Sequence, residues 1–239
     1  VCVGDRESDM LELMLKALLK KGLAQKDLVV AYHPYTEYPE GNSPGNNELL
    51  DTVRFINGGL RSEGVKQIWA TEWGWSSYSG PKEMQAIIGV SGQADYTLRR
   101  LALMSALDFD RIFLFNLSDL DARASVRDQS YGLLDLNADP KPVFRALKNF
   151  LKVTGPSLTP ADPPSFGSAP KDLYSIAWTR EDGRHLLILW SASAGKLTLP
   201  GIRQATLHDP HSGKARRLQA EAGALVVALK PSLQLLVWD

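Results

Sequence analysis

The stretch IWATEWGWSS, Ile68 to Ser77, decides how the rest of the chain is read. With the preceding VKQ it begins as an apolar run of the kind that buried strands of parallel sheets show. Glu72 then stands where the strand should end, between Thr71 and Trp73. A carboxylate at a strand tip sits on the rim of a sheet rather than in its core. In parallel α/β folds that rim carries the active site.

The neighbouring segments support a parallel sheet. VCVGD reads as the end of one strand, and Ser8 as the cap of a helix whose apolar positions run from Met10 to Leu19, closed by Gly22. DLVVAYHPY is the next strand, a helix follows over Glu48 to Leu60, and VKQIWATEW is the third strand. Gln93 to Leu107 is a third helix, RIFLFNLSD a fourth strand, and Pro142 to Lys152 a fourth helix. Four strand–helix units in succession predict an α/β fold. Polar or aromatic groups follow the strands at Asp5, His33, Glu72 and Asn116, and no glycine-rich phosphate loop does. A (β/α)₈ barrel needs roughly 250 residues, so this part has about half of one. The chain also opens inside an apolar run without an initiator methionine. The expectation is half of a barrel over residues 1–154, from a fragment or the later half of a longer protein.

Residues 155–171, GPSLTPADPPSFGSAPK, hold five prolines and read as a linker or a long surface crossing. From 172 to 239 the pattern changes to short strands, LYSIAWT, HLLILWS, KLTLP, QATLHD, ALVVAL and LQLLVW, predicting a small antiparallel β-sandwich.

The 239 residues carry 27 basic and 27 acidic side chains. Without a basic face, nucleic acid and anionic membranes are poor partners, and a neutral polymer is more compatible. The single cysteine, Cys2, permits no internal disulfide, and no apolar run is long enough to span a bilayer. His208 and His211, in HDPHSG, are too few for a metal site and read as a solvated turn.

Glu72 is either a catalytic carboxylate or a structural glutamate bonding loop amides. Trp73 and Trp75 beside it offer flat apolar faces that suit sugar rings, and glycoside hydrolysis uses two carboxylates. His33 is a candidate site residue or a satisfied strand-end histidine. Tyr38 is a candidate wall residue, and Tyr32 either wall or core. Asn116 and Asp119 bond sugar hydroxyls or cap the following loop.

At these motifs a family resemblance enters. IWATEWGW resembles the seventh-strand motif of clan A glycoside hydrolases, AYHPYT the sixth-strand segment of glycoside hydrolase family 39, and YGLLDLNADPKPVFRALKNF the lead-in to the closing helix of that clan. The resemblance implies the second half of the barrel, strands five to eight, and a retaining endo-glycosidase with Glu72 as nucleophile, His33 and Tyr35 beside it, and Tyr35 orienting the carboxylate. It further implies a bacterial exopolysaccharide as substrate, no cofactor, and a periplasmic or cell-envelope location. Two departures stand out. Phe115 and Asn116 occupy the end of the eighth strand, where many clan members have tryptophan. The acid/base glutamate of the family follows an asparagine at strand four, and the one such pair here, Asn47-Glu48, reads instead as a helix start. The acid/base is therefore expected upstream, on the N-terminal half of the barrel, and Glu37 and Glu40 are poor substitutes. A non-catalytic carbohydrate-binding or scaffold module with the same fold is the alternative.

Overall fold

The computed structural model describes residues 2–3, 8–22, 28–43, 47–81 and 86–239. Asp5, one of the polar strand ends noted above, lies outside them.

Four strands, β1 (Cys2–Val3), β2 (Val29–Tyr32), β3 (Gln67–Ala70) and β4 (Arg111–Ile112), form one parallel sheet. Their spatial order is their chain order, β1-β2-β3-β4. A doubly wound sheet reverses its order at a switch point, and none occurs among these strands. Sequential order with helical crossovers is the winding of successive barrel units. The crossovers are α1 (Ser8–Lys20), α2 (Glu48–Ser62) and α3 (Gly89–Ser105), and α4 (Pro142–Thr154) follows β4. α1 starts at Ser8 itself and ends at Lys20, just before Gly22, whose φ of 86° fits a left-handed C-terminal cap.

The strands alternate sides. Val30, Tyr32 and Ile68 turn toward the helices and share a core with Leu15, Leu60 and Val65. Val30 and Ile68 are fully buried, each contributing about 1.5–3 kcal/mol of transfer free energy. On the intervening position of β3, Trp69 meets Phe113, ring centroids 5.8 Å apart.

Polar ties set the register of β3 against β4. Arg61, at the end of α2, grips both carboxylate oxygens of Asp108 at 2.8 and 2.9 Å and donates to Asp110 at 2.9 Å. Asp110 in turn accepts the Ile68 amide at 2.7 Å. Tyr32 donates to Asn57, which donates to the Asp108 carbonyl. Tyr32 is thus a core residue, 2 % exposed, and not a wall of a cleft.

The C-terminal strands form a six-stranded antiparallel sheet and a separate two-stranded ribbon. In order of the chain they are β5 (Leu158–Pro160), β6 (Leu173–Arg180), β7 (His185–Ser191), β8 (Gly195–Pro200), β9 (Gln204–Asp209), β10 (Lys214–Gln219), β11 (Ala224–Leu229) and β12 (Gln234–Trp238). The sheet runs β10-β9-β12-β7-β6-β5 and the ribbon pairs β11 with β8. Leu187, Leu207 and Leu236 of the sheet and Leu197, Leu199 and Val227 of the ribbon belong to one buried cluster.

Two sequence expectations need correction. Of the two readings of residues 155–171, the free linker fails and the surface crossing fits: β5 pairs with β6, and Gly167 and Ser168 bond the backbone of Thr198. Prolines tolerate this because the segment lies at sheet margins, where a missing donor costs little. The packing units also differ from a division at residue 154. One comprises 1–89 and 103–139, the other 90–102 and 140–239. α4 belongs with the second because Asn149 donates to the Pro210 carbonyl at 2.9 Å. Most of α3 does too, since Arg99 lies over the Trp190 ring and Asp95 stands 3.4 Å from His211. His211 therefore lies against Asp95 at one edge of its turn rather than wholly in solvent. Among the described residues no group of three potential metal ligands occurs, and no helix is long and apolar enough to cross a membrane.

Candidate active site

The chain beyond β3 stays extended because both flanks bond it. The Thr71 amide donates to Tyr32, and Phe113 and Phe115 donate to Ala70 and Trp73. Glu72 is thereby fixed at the C-terminal rim of the sheet, its side chain 39 % exposed. A carboxylate held by its backbone yet open to solvent can receive a substrate.

The end of β2 supplies two partners. Tyr35 donates its backbone N–H back to the His33 carbonyl at 2.9 Å, a tight three-residue turn centred on Pro34. The fixed φ of proline suits that centre. The turn brings both flanking side chains to the same carboxylate oxygen. Tyr35 donates its hydroxyl to Glu72 Oε2 at 3.4 Å, and His33 Nδ1 stands 3.4 Å from the same atom. Burial, then the Glu72 charge, pushes the Tyr35 phenol well above the ordinary tyrosine range. It therefore remains a neutral donor.

Tyr131, which the sequence reading did not single out, completes the aromatic setting. It is 5 % exposed and meets Tyr35 edge-on at 6.4 Å and Phe115 at 5.5 Å. Its signal was present in YGLLD, read there only as a lead-in to a helix. Gly74 lets these parts close together, since a Cβ there would collide with the Phe115 carbonyl.

Trp73 and Trp75 do not wall an open cleft. Each is 2 % exposed. Trp75 donates its indole N–H to the Glu37 carbonyl at 3.1 Å, pinning the loop after β3 to the loop after β2. Trp73 has its indole nitrogen buried without a hydrogen-bond partner among the described residues. Their bulk is spent on packing the loop that carries Glu72. Tyr38 is half-buried, its amide bonded to the Gly41 carbonyl at 2.8 Å. Asp119 accepts the Gly132 amide at 2.8 Å, so its carboxylate secures the loop after β4. Asn116 is held by its backbone, its carbonyl accepting the Leu133 amide, while its side-chain Oδ1 is buried without a partner among the described residues. Glu48 opens α2 as its first residue and accepts from Asn42, the helix-start role read from its sequence. Glu40 is buried, 3 % exposed, which removes it from any open cleft.

No protein-family model matches the chain, and no curated protein does. Solved structures do. A family 39 glycoside hydrolase from the gut symbiont Bacteroides cellulosilyticus WH2 superposes with a TM-score of 0.67 at 18 % identity, over 94 % of this chain and 47 % of its own. The family 51 arabinofuranosidase of Xanthomonas axonopodis pv. citri gives 0.58 at 11 % identity, over 100 % and 57 %. An endo-β-1,6-glucanase gives 0.54 at 14 % identity, over 99 % and 47 %. The chain spans about half the length of these structures. At such identities the likeness is one of fold: the chain is built like about half of a barrel-type glycoside hydrolase.

Proposed function

We propose that this chain is the later half of a retaining endo-glycosidase barrel, followed by a β-sandwich, with Glu72 as the nucleophile. The observation that carries the reading is the carboxylate at the end of β3 met on one oxygen by the Tyr35 hydroxyl and by His33. These contacts on one oxygen fix the plane of the carboxylate, leaving Oε1 to attack. The fold likeness to glycoside hydrolases supports it.

In the first displacement Glu72 bonds the anomeric carbon as the glycosidic C–O bond breaks, and the leaving oxygen takes a proton from a glutamate on the upstream half of the barrel. In the second, water adds to the same carbon, gives its proton to that residue, and the Glu72 ester bond breaks. No cofactor takes part. The substrate we assign is a Psl-like bacterial exopolysaccharide, met in the periplasm or cell envelope. That assignment rests on the motifs IWATEWGW and AYHPYT.

The test is Glu72→Ala in the full-length protein, assayed on an activated aryl glycoside with and without azide. Loss of turnover, restored by azide as a glycosyl azide of inverted configuration, is the expected result. A variant that turns over normally, or a wild-type protein that binds glycan without hydrolysing it, would overturn the proposal in favour of a binding module.

A further inference from the structure

The β-rich unit has a cationic hollow on the side of β6, β9 and α4. It measures about 340 Å³ and is lined by Lys152, Arg180, Arg184, His208 and Lys214, with one carboxylate, Asp209. Asp209 is already engaged, its Oδ1 accepting the amides of His211 and Ser212. The two arginines share a single carboxylate oxygen, Asp182 Oδ2, at 3.0 and 2.7 Å. Arg180 also keeps its Nε buried with no acceptor among the described residues. The lining therefore has more positive charge and more guanidinium donors than the surrounding carboxylates use. His208 registers the field: burial, then Arg180 and Arg184, lowers its proton affinity.

Arg184 also lines a second hollow of about 210 Å³. There the walls change character to Trp238, Thr206, Gln204, Gln219 and Arg217, with one carboxylate, Asp239, whose charge also acts on Arg184. One face of Trp238 is stacked on His185 at 5.2 Å, which holds the ring in place. An aromatic surface among amides, a hydroxyl and guanidinium donors suits a sugar ring with its hydroxyls.

We propose that the adjoining hollows form one binding site for an acidic saccharide, its oxyanion held by Arg180 and Arg184 and a neighbouring sugar ring placed against Trp238. Arginine is the suited residue, since its planar fork meets a carboxylate or sulfate with paired hydrogen bonds. This site is separate from Glu72 and does not depend on the glycosidase reading.

Calorimetric titration of the full-length protein, with Glu72→Gln to prevent turnover, tests it. The probes are trigalacturonate, neutral cellotriose and inorganic sulfate. Trigalacturonate is expected to bind, more weakly as salt rises above ~50 mM. Arg184→Gln with Lys214→Gln, both at exposed positions, should weaken it at least ~10-fold with the circular dichroism spectrum unchanged, the loss of about 1.4 kcal/mol of binding. Trp238→Leu should weaken trigalacturonate but not sulfate. Absent binding, or trigalacturonate affinity unchanged in the Arg184/Lys214 variant, overturns the proposal. Sulfate binding as tightly as trigalacturonate overturns its saccharide half, and equal binding of cellotriose overturns its anionic half.

Discussion

Replacing Tyr35 by phenylalanine is the sharpest probe of how Glu72 is organised. The ring stays, so the edge-on contact with Tyr131 at 6.4 Å survives, and stability should change little. What is lost is one hydroxyl donated to Glu72 Oε2 at 3.4 Å. Hydrogen bonds to charged groups contribute about 1.5–3 kcal/mol, and the length of this one places it at the lower end. If the bond reaches this strength only in the transition state, its loss lowers kcat/KM roughly 10-fold. The pH dependence adds a second constraint. Burial and the Glu72 charge raise the phenol pKa, so the hydroxyl stays protonated and donating past pH ~10, where an ordinary tyrosine would ionise. The ratio of wild-type to variant kcat/KM should therefore stay constant from neutrality to about pH 10. The assay is kcat/KM on an aryl glycoside across that range, with melting temperature as the control. Unchanged kcat/KM, or a ratio that collapses toward unity near pH 9, would refute the assigned role of Tyr35.

Further outcomes follow from other contacts. Gly74→Ala sets a Cβ against the Phe115 carbonyl, a backbone atom that cannot swing aside, and should destabilise by about 1–3 kcal/mol, read as a lower chemical-denaturation midpoint. For Asp95, burial raises the carboxyl pKa, but the His211 contact and the Arg99 charge outweigh it and hold it below the usual range. A depressed folded-state pKa adds stability above the unfolded value of ~3.9, lost as pH falls through the folded pKa. Asp95→Asn should thus lower the melting temperature at neutral pH and flatten its fall below about pH 4, measured by calorimetry as a function of pH.

The parallel units were legible because period and length agree: continuous apolar strands, helical spacing from Met14 to Leu19, and a cap at Gly22. That His33 and Glu72 would meet was legible for the same reason, since residues following parallel strands share one rim, while Tyr35 entered through the likeness of AYHPYT to a known motif. The role of the tryptophans was not. A large indole beside a carboxylate fits a sugar platform and a loop core equally well in sequence, and only the backbone path that sends Trp75 to the Glu37 carbonyl decides between them. Strand β10 was missed because KARRLQ is largely exposed, an edge strand whose charges deter further pairing and hide the period. The strap over residues 158–168 was hidden by prolines, which mark turns and sheet margins alike. Asp119 carries no local signal that its partner would be Gly132, 13 positions on.

The Trp75 tie between the loops after β2 and β3 has a consequence for diversification. It makes Glu72 and the flanking Tyr35 and His33 a single inherited part: a substitution that relaxes either loop disturbs the spacing of the other. New substrate preferences in such a scaffold should therefore arise where this clamp is not felt, at exposed positions such as Ser43 and Ser79, while residues 73–76 stay closed to change.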